Sequence, residues 1–376
     1  MNIAILGAMW GDEGKGHITH HLSPNFNWVI RFNGGANAGH TIYRDSKKYV
    51  HNLLPSVDFR VNTVKAYLGA GMVIDLEKLR DEVYTLEEHF PGAAKRIYVD
   101  REAFIVESKH KEEDKNTNSH IGSTNRGIGP AYKDKIGRSG HRIDDLFHRF
   151  RLHDPYYNDF MYQLLGKGVN FVHALEVVPQ MKKDSVLFEG AQGVLLDINH
   201  GIYPYVSCSD ATIGGICASG FASIMPEKVY GVAKCYTTKV GEGPFPTEIH
   251  GKEAEELRER GHEYGATTGR PRRVGWLDLP ALEYACKKGG ITNLILTKFD
   301  ILNGLDRVKV CAAYDSPPVC PNNFFDAVPQ YITLPGWEDA KDQNQLTPFI
   351  QQVEKATNCP VSYISAGISP EDIVSR

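Results

Sequence analysis

The 376 residues are 41% hydrophobic and 23% charged, a composition that supports a sizeable core and excludes a disordered or fibrous chain. A net charge of −4 gives no global attraction for nucleic acid or an anionic membrane, so neither is expected as a partner and any bound anion must be held locally. No apolar run approaches the roughly 20 residues of a membrane-crossing helix, the start MNIAILGAMWGDE lacks a basic leader, and the seven scattered cysteines form no C-x-x-C pair; a cytoplasmic protein with reduced thiols is expected.

In chain order, apolar or β-branched runs at Asn2–Met9, Trp28–Asn33, Arg96–Val99, Ser185–Glu189, Val229–Val240, Asn293–Lys298, Val308–Tyr314 and Pro360–Ile364 predict strands. Helical periodicity predicts helices at Leu76–Phe90, Leu277–Lys288 and Thr347–Ala356. The polar stretch Glu107–His120 and the Pro-rich stretch Ser316–Asn323 read as surface loops or insertions. Glycine punctuation after the strand runs predicts an α/β fold, with a large, mostly parallel central sheet flanked by helices, in a single domain over 1–376.

The first strand runs into GAMWGDEGKGH, where Gly11, Gly14 and Gly16 let the backbone turn tightly and aim successive amides at an anion before a helix begins. Lys15 supplies a point charge for phosphates, but Gly16 follows it in place of the metal-binding Ser/Thr of a Walker A loop, so Asp12 is the candidate metal ligand or proton acceptor. In isolation, a glycine-rich turn with a solvated Asp-Glu pair reads the same way. His17, His20 and His21 fall at i, i+3 and i+4 on the following helix; no carboxylate or cysteine joins them, so packing or surface roles are expected.

Further clusters follow. RFNGGANAGHT presents Asn37, Gly39 and His40 after the second strand, at the edge of the sheet where ligands bind. IGSTNRGIGPAYKDKIGR brings Ser123 and Thr124 together with Arg126, Lys135 and Arg138, a second candidate anion site. FEGAQGVLLDINHGIYPYVS offers the Gln192 amide and the Ser207 hydroxyl. GATTGRPRR carries Thr267, Thr268, Arg270, Arg272 and Arg273, guanidinium forks suited to carboxylates or simply a solvated basic loop. LILTKFD ends a strand on Lys298 and Asp300; an aspartate there accepts from N1–H and the 2-amino group of guanine, which favours GTP over ATP.

Assembled in this order, WGDEGKG, GGANAGHT, GSTNRGIGPAY, EGAQG with DINHGIYPYVS, VGEGPFPTE, GATTGRPRR with GWLD, and LTKFD resemble the signature blocks of the adenylosuccinate synthetase family over nearly the full chain. The resemblance implies a P-loop-like nucleotide-binding fold and a C–N ligase that activates the 6-oxygen of IMP with GTP and Mg²⁺, for replacement by the nitrogen of L-aspartate. It implies that Asp12 removes the N1 proton and, with the Gly39 carbonyl, holds the metal, while His40 serves the β–γ bridge and Gln192 the 6-oxygen. It assigns Asn37, Thr124, Gln192, Ser207 and Val240 to the substrate nucleotide, and Arg138 to the IMP phosphate of the opposite subunit in a homodimer. Thr268, Arg270 and Arg272 are assigned to aspartate, and Gly14, Lys15, Gly16, Lys298, Asp300, Ser365 and Gly367 to GTP.

The chain departs from the family pattern by a compressed region around His141–Asp184, resembling archaeal and phage forms. It also departs at His17, where lysine is common, near His20, where aspartate is common, and at Ser207, where threonine is common. A phage-type relative that joins aspartate to GMP or dGMP is the near alternative, against which Asp12 and TKFD point to IMP and GTP. A GTPase switch has no use for the Thr/Arg loop, and Gly11, Gly14 and Gly16 do not spell the G-x-G-x-x-G of an NAD-binding oxidoreductase.

Overall fold

The computed structural model describes residues 1–44, 47–117, 124–148, 154–265, 269–315 and 324–376. Its centre is a ten-stranded sheet in the order Ile373–Ser375, Val361–Ser365, Asn293–Thr297, Lys228–Lys234, Ile3–Gly7, Val186–Glu189, Trp28–Arg31, Lys65–Leu68, Ile97–Asp100, Asn170–Val172. Nine of the strands run parallel, and only Ile373–Ser375 pairs antiparallel, with its neighbour Val361–Ser365. The expected α/β architecture is therefore the observed one.

The strand sequences explain the burial. Side chains alternate between faces along a strand, and a parallel sheet covered on both faces needs apolar residues at every position. Along Ile3–Gly7, Ile3 and Ile5 enter one core while Ala4 and Leu6 enter the other. Val29 separates from Trp28 and Ile30, and Leu187 from Val186 and Phe188, in the same way. Leu76, Leu79, Val83 and Leu86 of the helix Leu76–His89 close one face, and Leu279, Leu282 and Ala285 of Leu279–Gly289 belong to the core on the other.

Several boundaries differ from the sequence reading. The run Val229–Val240 is two strands, because the chain leaves the large sheet at Cys235, whose amide donates to the Thr297 carbonyl at 3.0 Å. The second piece, Tyr236–Lys239, begins a separate four-stranded sheet with Arg273–Asp278, Arg307–Tyr314 and Pro329–Pro335. Leu277 lies in the strand Arg273–Asp278 instead of starting a helix; Asp278 ends that strand and caps the helix by accepting from the Ala281 amide at 3.1 Å, and Pro280 stands in the first turn. Glu107–His120 contains the helix Ser108–Thr117, anchored by buried Asp114, which accepts from the Gly127 amide at 2.9 Å. Asp114 was indistinguishable in sequence from the solvated charges around it. Ser316–Asn323 lies outside the described residues. Six described cysteines are free thiols, and no described helix is long and apolar enough to cross a membrane.

Candidate active site

Parallel strands deliver their following loops to one edge, which is how distant sequence clusters meet. After Ile3–Gly7, the chain turns through Gly11, Asp12 and Gly14 with φ of 83°, 61° and 94°. Left-handed backbone suits glycine, so Asp12 is the exception that stands out. The turn is braced from inside by Glu13, not solvated as its neighbours suggest: its carboxylate accepts from the Met9 amide at 3.1 Å and the Gly11 amide at 2.7 Å, and pairs with Lys15 Nζ at 2.8 Å. The helix Lys15–Leu22 then starts at Gly14 with no side-chain cap, leaving its first amides for an anion.

Three loops interlock here as closely as glycine permits. A Cβ on Gly7 would stand 2.3 Å from the Gln192 carbonyl oxygen, one on Gly193 2.2 Å from the Met9 carbonyl, and one on Gly16 2.9 Å from His40 Cβ. Gly16 thus lies where it does because His40 packs on it.

His40 is buried, and its Nδ1 lies 2.7 Å from Glu189 Oε1, at the end of the strand Val186–Glu189. Glu189 also accepts from the Ser56 hydroxyl at 2.7 Å and the Ser56 amide at 2.8 Å. Burial pulls the imidazole below its ordinary range while Glu189 pulls it back. For Glu189, burial alone would raise the carboxyl, but His40, Arg31 and Ser56 prevail and hold it at about 2.

Gln192 also has left-handed backbone, φ 59°, and its Oε1 accepts from the Ser209 hydroxyl at 3.2 Å, which leaves the amide NH₂ to donate elsewhere. Asn33 Nδ2 donates to the same hydroxyl at 3.3 Å, and Ser207 Oγ stands 3.5 Å from it, so Gln192 and Ser207 belong to one cluster. Asn37 Oδ1 is buried with no hydrogen-bond partner among the described residues. Gly39 is half-buried beside His40.

Across the edge, Arg272 Nε lies 2.8 Å from Asp12 Oδ2. Arg273 turns away to Glu248 and the carbonyls of Gly241 and Gly243 and is a structural fork, whereas exposed Arg270 stands 3.6 Å from Glu242. Thr267 and Thr268, like Ser123, lie outside the described residues.

Lys298 adopts φ 67° at the end of Asn293–Thr297, and its Nζ donates to the Gly261 carbonyl at 3.1 Å. Thr297 Oγ1 donates to the Glu13 carbonyl at 2.8 Å, tying this strand to the phosphate loop. Asp300 Oδ1 is buried without a hydrogen-bond partner among the described residues, and burial raises its carboxyl above the usual range. Ser365 Oγ donates to the Gly367 carbonyl at 3.0 Å, and a Cβ on Gly367 would meet Asp372 Oδ2 at 2.2 Å.

Thr124, Arg138 and Val240 are exposed and are not drawn into these hydrogen-bonded clusters among the described residues. Arg138 ends the helix Ile128–Gly137, whose Tyr132 hydroxyl accepts from the Gly34 amide at 3.2 Å. Of the three histidines after the loop, His20 is buried and His17 half-buried, its ring held down at about 4 by burial and then by the neighbouring His20 and His21. Glu13, Glu189 and Glu263 are carboxylates of the candidate site that sequence reading did not single out. Glu189 carried a faint signal, a carboxylate closing the apolar run VLF; Glu263, in HEYG, carried none.

The chain is similar to known proteins along its whole length. A family model described as adenylosuccinate synthetase matches residues 4–165 and 156–374. Proteins named adenylosuccinate synthetase from Petrotoga mobilis and Thermotoga maritima are 46% and 42% identical to this chain, each covering 100% of it, with 97% and 100% of their own lengths matched. These relatives are bacterial, and the Petrotoga alignment runs over 409 positions against 376 residues here. The fully ligated adenylosuccinate synthetase from Plasmodium falciparum superposes with a TM-score of 0.89 at 33% identity, covering 100% of this chain and 99% of that one. A cyanophage S-2L succinoaminodeoxyadenylate synthetase bound to dGMP and dATP shares the fold, with a TM-score of 0.73 at 22% identity over 100% of this chain and 95% of its own. The chain belongs to the adenylosuccinate synthetase family, ligases that form a C–N bond.

Proposed function

We propose that this protein, acting as one catalytic domain in the cytoplasm, joins L-aspartate to IMP with consumption of GTP. The products are adenylosuccinate, GDP and phosphate. Asp12 removes the N1 proton of IMP, which makes O6 a nucleophile toward the γ-phosphate, while the Gln192 amide donates to O6. Lys15 and the amides around Gly14 and Gly16 hold the phosphates, and His40, oriented by Glu189, serves the β–γ bridging oxygen. The amine of aspartate then displaces phosphate from C6, its carboxylates held by Thr268, Arg270 and Arg272. Asn37, Thr124, Ser207 and Val240 surround IMP, and Arg138 reaches the IMP phosphate of a second subunit. Lys298, Asp300, Ser365 and Gly367 surround guanine; the unpartnered buried oxygens of Asn37 and Asp300 support ligands at both places.

Asp12, a carboxylate at the tip of the phosphate loop, and the Gly39 carbonyl are oxygen donors that suit Mg²⁺. Such an ion neutralises phosphate charge when bound.

The observation that carries the reading is the 2.8 Å pair of Asp12 and Arg272. It sets a proton acceptor in a phosphate-binding turn against a guanidinium suited to a carboxylate substrate, a combination with no role in a GTPase switch or a dehydrogenase. Phosphate release measured with aspartate and IMP, GMP or dGMP, each with GTP or ATP, tests it. The expected result is aspartate-dependent release with highest kcat/KM for IMP and GTP; higher kcat/KM for dGMP would transfer the protein to the phage-type reaction, and release independent of aspartate would overturn the ligase reading.

A further inference from the structure

Arg272 is not held by Asp12 alone. Its Nη1 donates to Glu263 Oε2 at 2.6 Å, its amide donates to the Glu263 carbonyl at 2.9 Å, and its carbonyl accepts from Arg258 Nε at 2.9 Å. Glu263 has no exposed surface, and its other oxygen accepts from Lys234 Nζ at 2.8 Å and the Tyr236 hydroxyl at 2.5 Å. Lys234 ends a strand of the large sheet and Tyr236 begins one of the small sheet, so the carboxylate sits at the junction of the two. The approach is tight, since a Cβ on Gly261 would stand 2.5 Å from the Tyr236 hydroxyl and 3.0 Å from Glu263 Cγ.

Burying a carboxylate between an ammonium and a guanidinium gains little over apolar packing of the same volume, because desolvation offsets the attraction. What such a cluster does supply is a fixed direction. An arginine has many rotamers, and freezing them on binding weakens affinity unless the protein has frozen them beforehand.

We propose that Glu263 is a positioning residue that locks the Arg272 guanidinium beside Asp12 and thereby sets the affinity for the carboxylates of the amino-acid substrate. The proposal rests on the reading of Arg272 as a carboxylate-binding residue. Glu263 touches no reacting atom; it acts through the arginine, on Nη1, while Nε faces Asp12.

Steady-state kinetics of Glu263→Gln test it. The KM for L-aspartate should rise about tenfold or more, with kcat and the KM values for IMP and GTP within about twofold of the parent. Because Glu263→Gln leaves Lys234 buried without its counter-charge, the double variant Glu263→Gln with Lys234→Met is measured beside it. The pair should regain thermal midpoint while the aspartate KM stays high. Arg272→Leu serves as reference. If it raises the aspartate KM and neither Glu263 variant does, the proposal is overturned; if KM rises equally for all three substrates, the role is general support of the fold and the proposal is again overturned. If Arg272→Leu itself leaves the aspartate KM unchanged, the reading of Arg272 falls and the proposal falls with it.

Discussion

His40 Nδ1 lies 2.7 Å from Glu189 Oε1, with both side chains shut away from water. The carboxylate accepts a hydrogen bond from Nδ1–H and fixes the ring, so that Nε2 is the nitrogen left for a phosphate oxygen. Because Glu189 stays ionised, it also supports the protonated ring against the burial that disfavours it.

Replacing Glu189 by Gln should therefore act on the chemical step. The expected outcome is a fall in kcat of about 100-fold, with the KM for aspartate changed less than about threefold, read in the phosphate-release assay. An unchanged kcat would remove Glu189 from the catalytic arrangement.

Low pH should weaken the fold through buried imidazoles. His51 Nδ1 has no partner among the described residues, and burial holds the ring near 4 against an ordinary 6.5. The unfolded chain therefore takes up the proton first: stability is full above pH 6.5 and is lost as pH falls toward 4. Glu189, with its carboxyl lowered from 4.5 to about 2, adds a loss of the same sign from pH 4.5 downward. Thermal midpoints across this range should drop for the parent and drop less steeply for His51→Asn; equal slopes would contradict the assignment.

Two glycine substitutions should have opposite signs. Gly7→Ala forces a methyl to 2.3 Å from the Gln192 carbonyl, 2.6 Å from Glu13 and 2.8 Å from Lys15, so it should destabilise by about 1–3 kcal/mol and lower turnover. Gly166, inside the helix Pro155–Lys167, has nothing within 4 Å of an added Cβ, so Gly166→Ala should stabilise by about 0.5–1 kcal/mol. Chemical denaturation distinguishes the two.

Arg138 and Asp12 should complement each other between subunits if the site is shared. Arg138→Leu is expected to raise the KM for IMP about tenfold or more, and Asp12→Ala to lower kcat by about 1,000-fold. Assayed at IMP well below the raised KM, where both variants are impaired, a mixture allowed to exchange subunits should exceed the summed activity of the two alone. No recovery, with exchange demonstrated by mass, would confine Arg138 to its own subunit.

Much of this protein is legible in its sequence because the information is local. The strand Ile3–Gly7, the glycine turn that follows it and the strand Trp28–Arg31 each lie within a few residues of their own signal, and the helix Leu76–His89 shows its apolar stripe outright. Where the signal is weak or divided, it fails: Lys65–Leu68 reads KAYL with no β-branched residue, and the continuous run Val229–Val240 conceals a change of sheet at Cys235. By itself the sequence determined the fold class, most of the central strands, the residue types offered to ligands and the family, since these depend on periodicity and motif spacing. Asp12 and Asp300 were legible there too, but which glutamates are buried and paired was decided only by the tertiary structure. Glu13 and Glu263 look like any surface glutamate, and Glu189 little different, until the fold removes their water; a buried charge must then find its partner, Lys15 and Arg272 from nearby in the chain and His40 from far along it, where no local pattern records the pairing.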